Sequence, residues 1–266
     1  MGDLPSTALD AAEPTEGGSA ALLAVQAMRI RVGTAGWGIP REAAAAFPGE
    51  GSVLERYGRV FDAVEINTTF KRVHRHETIE RWASSVDADF LFAVKFPKAI
   101  THEARLVGVE RPMRAFLEAA GALGRKLGPL LIQLPPSLVF DAAVFADFCA
   151  RLRACGDYAV ACEPRHASWF EPQIDDWLAE RRIARVAADP ALHPSAGAPG
   201  GWRGLSYYRL HGSPRVYYSA YQAQTLAALK ERVAADGAKA VWCIFDNTAS
   251  GAAAGNALAL RSAFRR

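Results

Sequence analysis

The sequence has no CxxC pair, no HExxH, no run of basic residues and no long apolar stretch, and each absence closes off a class of protein. Its four cysteines, Cys149, Cys155, Cys162 and Cys243, lack metal-ligand spacing. Cys162 and Cys243 fall inside apolar strand-like runs. They read as small buried hydrophobes in a reducing compartment, not as a zinc knuckle or a disulfide frame, so a cytoplasmic location is expected. Lys and Arg exceed Asp and Glu by only 3 over 266 residues, too little and too dispersed for a nucleic-acid surface. No stretch reaches the ~18 consecutive apolar residues of a membrane span. Asp3, Asp10, Glu13 and Glu16 precede the first basic residue, Arg29, whereas a secretory signal starts basic. Residues 1–28, rich in Ala, Gly, Pro and Glu, are expected to be a disordered tail, and residues 29–266 a single domain.

From Arg29 onward, short apolar runs alternate with helical patterns. Strands are expected at Arg29–Thr34, Ala63–Asn67, Phe90–Lys95, Leu130–Leu134, Tyr158–Cys162, Ala184–Ala188, Leu205–Leu210 and Ala240–Phe245. Helices fall between them. Ser52 with Glu55 has capping-box spacing, and Glu110–Leu127 is amphipathic, with Gly128 and Pro129 where a helix would stop. A Gly/Pro-rich stretch from Pro190 to Gly204 stands where the sixth helix should be. Eight strands that alternate with helices require a parallel sheet, because each crossover returns the chain to the same end. A closed (β/α)8 TIM barrel with the sixth helix short or replaced by a loop is the expected fold. The alternative is an open doubly wound sheet. It should carry a dinucleotide fingerprint after the first strand, and GTAGWG (Gly33–Gly38) has its glycines at the wrong spacing.

In a parallel barrel the site gathers at the C-terminal ends of the strands. Here nearly every such end is polar: Trp37, Glu65, Asn67, Lys95, Gln133, Glu163, Arg165, His166, Asp189, Arg209, His211, Asp246 and Asn247. Side chains alternate with period two along a strand, so Glu65 shares a face with Asn67, and Arg209 with His211. Tyr208 is expected to pack outward. His102, in the loop after the third strand, Trp169, and Tyr218, on the Arg209–Tyr221 segment, complete the candidate set. Glu163, with Glu65 or Asp246 as a second carboxylate, is the expected acid/base pair. The others are expected to hold an anionic or sugar-like ligand. A bland reading stands beside this one: Glu163 with Arg209, or Asp189 with Lys95, would simply close the barrel top as buried ion pairs. No tightly bound cofactor is implied. A divalent metal is the alternative, since Glu65, Glu163, His166, Asp189, His211 and Asp246 are ligand types, yet Lys95, Arg165 and Arg209 among them would repel a cation.

Seven ordered motifs also resemble a known family. They are Thr34-Ala35-Gly36-Trp37, Glu65-Ile66-Asn67, Thr101-His102 with Arg105-Leu106, Gln133-Leu134-Pro135-Pro136, Glu163-Pro164-Arg165-His166 with Ser168-Trp169, Tyr208-Arg209-Leu210-His211-Gly212, and Phe245-Asp246-Asn247-Thr248. Together they resemble the YecE-like family, domain of unknown function 72, from about Arg29 to the C-terminus. The resemblance implies a TIM barrel and no established reaction. One position departs from it: Lys71 follows Phe70 where the family usually has Tyr. The function expected first is an enzyme acting on a small anionic or sugar-containing substrate, a hydrolase or lyase. A metal-dependent phosphoester hydrolase and a non-catalytic ligand- or partner-binding barrel are the two alternatives. The oligomeric state is not legible.

Overall fold

A computed structural model describes residues 28–265, so the tail expected over residues 1–28 lies almost wholly outside the described residues. Among the described residues, ten strands and seven α-helices follow Met28, alternating except that β6 to β9 succeed one another without an α-helix. The strands are β1 Arg29–Thr34, β2 Ala63–Ile66, β3 Leu91–Lys95, β4 Leu127–Gln133, β5 Val160–Glu163, β6 Ile183–Arg185, β7 Ala187–Asp189, β8 Gly200–Gly201, β9 Leu205–Leu210 and β10 Ala240–Phe245. The helices are α1 Val53–Gly58, α2 His76–Ser84, α3 Glu110–Gly121, α4 Ala142–Cys155, α5 Pro172–Glu180, α6 Ala223–Ala234 and α7 Ala252–Phe264. Among the described residues no helix is long and apolar enough to cross a membrane.

The ring is an eight-stranded parallel barrel whose sixth strand is shared between β6 and β7. β6 pairs with β5 and β7 with β9, both parallel. The Val186 amide between them still donates to Cys162 O at 2.8 Å. The remaining seam, β1 to β2, closes through the Ala35–Glu65 bridge and the Gly36 amide on Glu65 O at 2.8 Å. Gly33 makes that approach possible: a Cβ there would lie 2.2 Å from Ala63 O.

One expectation is corrected and another is met. Gly128 and Pro129 do not terminate a helix. α3 stops at Gly121, and both residues lie inside β4, where the register against β3 slips between Phe92 and Val94. An irregular position is where a strand tolerates Pro, and Gly128 leaves room for the Trp242 indole, which a Cβ would meet at 2.8 Å. The Gly/Pro stretch does replace the sixth helix, but as a built loop. Outward-facing Arg185 on β6 grips Asp175 with two bonds of 2.7 and 2.8 Å and donates to Ser195 O and Ala198 O. β8 then folds back antiparallel on β6.

Period two sorts the side chains into two cores. The barrel interior holds Ala35, Ala63, Ala93, Leu131, Ala161, Ala184, Val186, Leu205, Tyr207, Trp242 and Ile244. The alternate positions pack outward into the larger core under the helices, Tyr208 among them. Small alanines on β2, β3, β5 and β6 share the barrel interior with large Tyr207 and Trp242 on β9 and β10.

Candidate functional site

The inward positions directly above this apolar floor are Glu65 on β2, Lys95 on β3, Gln133 on β4, Glu163 on β5, Arg209 on β9 and Asp246 just beyond β10. All six are buried, between 0% and 6% exposed. Each is two residues on from an interior apolar residue of its own strand. A rule that packs a core thus delivers a polar ring at one end of it.

Arg209 lies at the centre and is fully buried. Its Nε and Nη2 donate to the two Glu65 oxygens at 3.0 and 2.7 Å, Nη1 to Glu163 Oε2 at 2.7 Å, and Nη2 also to Asp246 Oδ2 at 3.0 Å. Tyr207 donates its hydroxyl to Glu65 Oε2 at 2.9 Å. His211 bridges Glu163 Oε1 at 2.9 Å and Asp246 Oδ2 at 3.1 Å, and Arg165 donates to Glu163 Oε1 at 3.0 Å. Burial alone would raise the Glu163 and Asp246 pKa values. The Arg209 charge and the His211 contacts outweigh it and hold both carboxyls below their ordinary range. Burial likewise opposes a charged His211, but the Glu163 charge and the bonds to both carboxylates raise its pKa above the ordinary value.

Lys95 is different. Burial pushes its ammonium down to about 8, and the Arg209 charge adds to that effect; Glu65, Glu163 and Asp246 oppose it less strongly. No carboxylate among the described residues lies within ion-pair distance of its Nζ. The nearest organised contact is the Phe70 ring, 4.2 Å from Nζ to the centroid. Phe70 also takes the edge of His102, whose Nδ1 is 2.9 Å from Thr101 Oγ1. Burial and the Lys95 charge lower the His102 pKa.

Above the ring opens a cavity of about 1320 Å³. It brings together Trp37, Asn67, Lys95, His102, Gln133, Arg165, Tyr218 and Asp246 from the expected set. Asp246 is the one carboxylate on its wall among the described residues. The Asn67 side-chain oxygen is buried without a partner. Glu65, Glu163, Arg209 and His211 lie beneath or beside the cavity.

Four expected residues stand elsewhere. Trp169, expected at the ligand, is 1% exposed. It donates from Nε1 to Leu138 O at 2.8 Å and packs on Phe140 and Phe145, so it belongs to the core. His166 caps the turn Ala167–Phe170 by accepting from the Ser168 amide. Asp189 accepts from the Tyr221 hydroxyl at 2.7 Å and does not pair with Lys95. Asn247 is fully buried and donates to Ser219 O and Asn256 Oδ1, tying the loop after β9 to α7. The ion pair expected between Glu163 and Arg209 is present at 2.7 Å.

The site also uses residues that the sequence reading did not assign. Tyr207 was discoverable, since it shares the Arg209 face by period two. Trp82, on α2, could not be placed locally; it packs edge-on against Trp37 at 4.8 Å and against His74 at 4.8 Å on the cavity wall. Tyr217, left-handed at φ 69°, sits above His211 on the rim. Lys71, the departure from the family pattern, also lines the cavity. Among the described residues no group of three or more His, Cys, Asp and Glu side chains is arranged to hold a metal ion. The three carboxylates that converge do so on Arg209.

A model of the family described as "Protein of unknown function DUF72" matches residues 31–266. The chain belongs to the DUF72 family. YecE of Escherichia coli K12 is 30% identical over 142 residues, covering 51% of this chain and 52% of YecE, so the match spans about half of that relative. A DUF72 protein of Enterococcus faecalis superposes with a TM-score of 0.75 at 23% identity, covering 89% of this chain and 96% of that one. A DUF72 protein of Thermotoga maritima gives 0.71 at 24% identity, covering 90% and 100%. These likenesses carry the fold, and the residues of this DUF72 chain must carry the chemistry.

Proposed function

We propose that this DUF72 protein is an enzyme that admits a small anionic or sugar-like substrate to the barrel mouth and performs acid/base chemistry on it. Lys95 is the proton-transferring group. The observation that carries this reading is a buried amine without an ion-pair partner, facing a large cavity, with its pKa brought to about 8. A base near the working pH transfers protons efficiently, and shifted pKa values gather at functional sites. Arg165, His102, Asn67 and Gln133 supply polar contacts, while Trp37, Phe70, Trp82 and Tyr218 offer aromatic faces suited to a sugar ring. Glu163 and Glu65 hold the counter-charge for Arg209 in this reading, in place of the acid/base role expected from sequence. Their oxygens are already engaged. The buried free thiols of Cys149, Cys162 and Cys243 support a cytoplasmic setting.

A thermal-shift screen of sugar phosphates, free sugars and small carboxylates tests the reading. At least one class should raise the melting temperature of the wild type and not of Arg165→Ala, and the same compound should be turned over by the wild type but not by Lys95→Met. Silence across all three classes would refute the assignment. Binding without turnover would make the barrel a carrier.

A further inference from the structure

We infer that Lys95 reacts covalently with its substrate, a small aldehyde or ketone such as an open-chain sugar, through a protonated imine. The inference rests on the reading above and names the substrate class for the same mouth. The geometry separates Lys95 from every other lysine in the chain. Of six lysines, it alone is buried among the described residues. Lys98 pairs with Glu103 at 2.8 Å and is half exposed, Lys230 lies beside Glu231, and Lys126 donates to Ala83 O and Val86 O. Among the described residues Lys95 Nζ has no such acceptor. It rests on the Phe70 ring and faces open volume.

Lys95 is poorly built to clamp an anion. The neighbouring Arg209 is cationic whatever the pH, and its donors are saturated by three carboxylates. It therefore cannot take a substrate anion itself. What it does is make a second positive charge beside it costly. A desolvated lysine next to a fixed cation is an activated amine nucleophile.

The bond balance closes without a further reactant. The Lys95 ammonium releases one proton to water in the cavity, and the freed lone pair attacks the carbonyl carbon. The carbonyl π pair takes up a proton, giving a carbinolamine. A second proton moves from nitrogen to oxygen, the C–O bond breaks, and water leaves as the C=N bond forms. Ammonium plus carbonyl thus becomes protonated imine plus water, with charge conserved.

Borohydride-type trapping tests this. The intact protein is incubated at pH 7.5 with D-glyceraldehyde or dihydroxyacetone phosphate and sodium cyanoborohydride, and adducts are located by peptide mass spectrometry. Lys95 should acquire the reduced adduct at least about tenfold faster than Lys98, because a much larger fraction of a pKa-8 amine is neutral at that pH. The mass should be absent from the same peptide of Lys95→Arg. Adduct at Lys95 no faster than at Lys98 would overturn the inference. A parallel labelling with trinitrobenzenesulfonate at pH 8 separates the two failures. Labelling of Lys95 by that reagent but not by either carbonyl probe leaves a reactive base and removes the imine. No labelling by any of them removes Lys95 from the chemistry, and the acid/base reading falls with it.

Discussion

The two halves of the barrel mouth are both built from buried polar residues at strand ends and behave oppositely. On the side of β5, β9 and β10, every charge is answered: Arg209 meets Glu65, Glu163 and Asp246, His211 bridges two of these, and Tyr207 and Arg165 fill remaining lone pairs. On the side of β3 and β4, next to the engaged Glu65 of β2, Lys95 and Gln133 line open volume, and among the described residues no carboxylate pairs with Lys95. A buried charge with all its bonds made is rigid and chemically quiet. A buried polar group left free is costly and stays reactive. In the function we propose, the first half holds the barrel top in register and the second meets the ligand.

Arg209→Met breaks the comparison most severely. It leaves Glu65, Glu163 and Asp246 buried at 0–4% exposure without their shared counter-charge. Loss of one partner from a buried ionic cluster costs about 3–5 kcal/mol. Urea unfolding should register that loss, or the protein should fail to accumulate in folded form. A cost below about 1 kcal/mol would show that the cluster is loosely held and that the contrast between the halves is mistaken.

Lys95→Met goes the other way. The native pKa of about 8 lies below the unfolded value, so the fold disfavours the charged form. That penalty is complete below pH ~8 and fades as pH rises towards about 10.4, where the unfolded lysine also loses its proton. The variant should be more stable than the wild type by about 1–3 kcal/mol at pH 7, with the gain shrinking through pH 8–10, while chemistry at the site is lost. Such an exchange of stability for function is typical of an active-site residue. A destabilised variant would mean that Lys95 contributes packing or an ionic contact and is not held at a cost.

The contrast also explains what could be read in advance. Strand identity and parity were legible because alternation is a local property, and parity alone carries Glu65, Lys95, Gln133, Glu163, Arg209 and Asp246 to one end of one interior. Which of those charges neutralise one another was not legible, since Glu65 and Arg209 are 144 residues apart in the chain and their bidentate contact exists only in the closed barrel. Asp189 and Lys95 were equally plausible partners by position. Tyr221 claims the first, and among the described residues no carboxylate claims the second. Trp169 misled because a Trp beside a polar strand end resembles a ligand contact, whereas the turn at Ala167–Phe170 sets it against Phe145 of α4. Gly128 and Pro129 misled because a stop signal and a strand irregularity use the same two residues.

Tyr207→Phe is the mildest test, and it examines the saturated half from below. The hydroxyl removed is one of two donors to Glu65 Oε2, and Arg209 Nε remains on the same oxygen at 3.0 Å. The ring keeps its stacking on Trp242, 6.0 Å between centroids. The cost should therefore be that of one hydrogen bond to a charged acceptor, about 1.5–3 kcal/mol, below that of Arg209→Met. Glyceraldehyde trapping at Lys95 should proceed at the wild-type rate, since Tyr207 does not line the cavity. If trapping slowed severalfold while stability barely changed, charge rearrangement around Glu65 would be reaching Lys95. The two halves would then be one electrostatic unit, and the saturated side would set the reactivity of the open one.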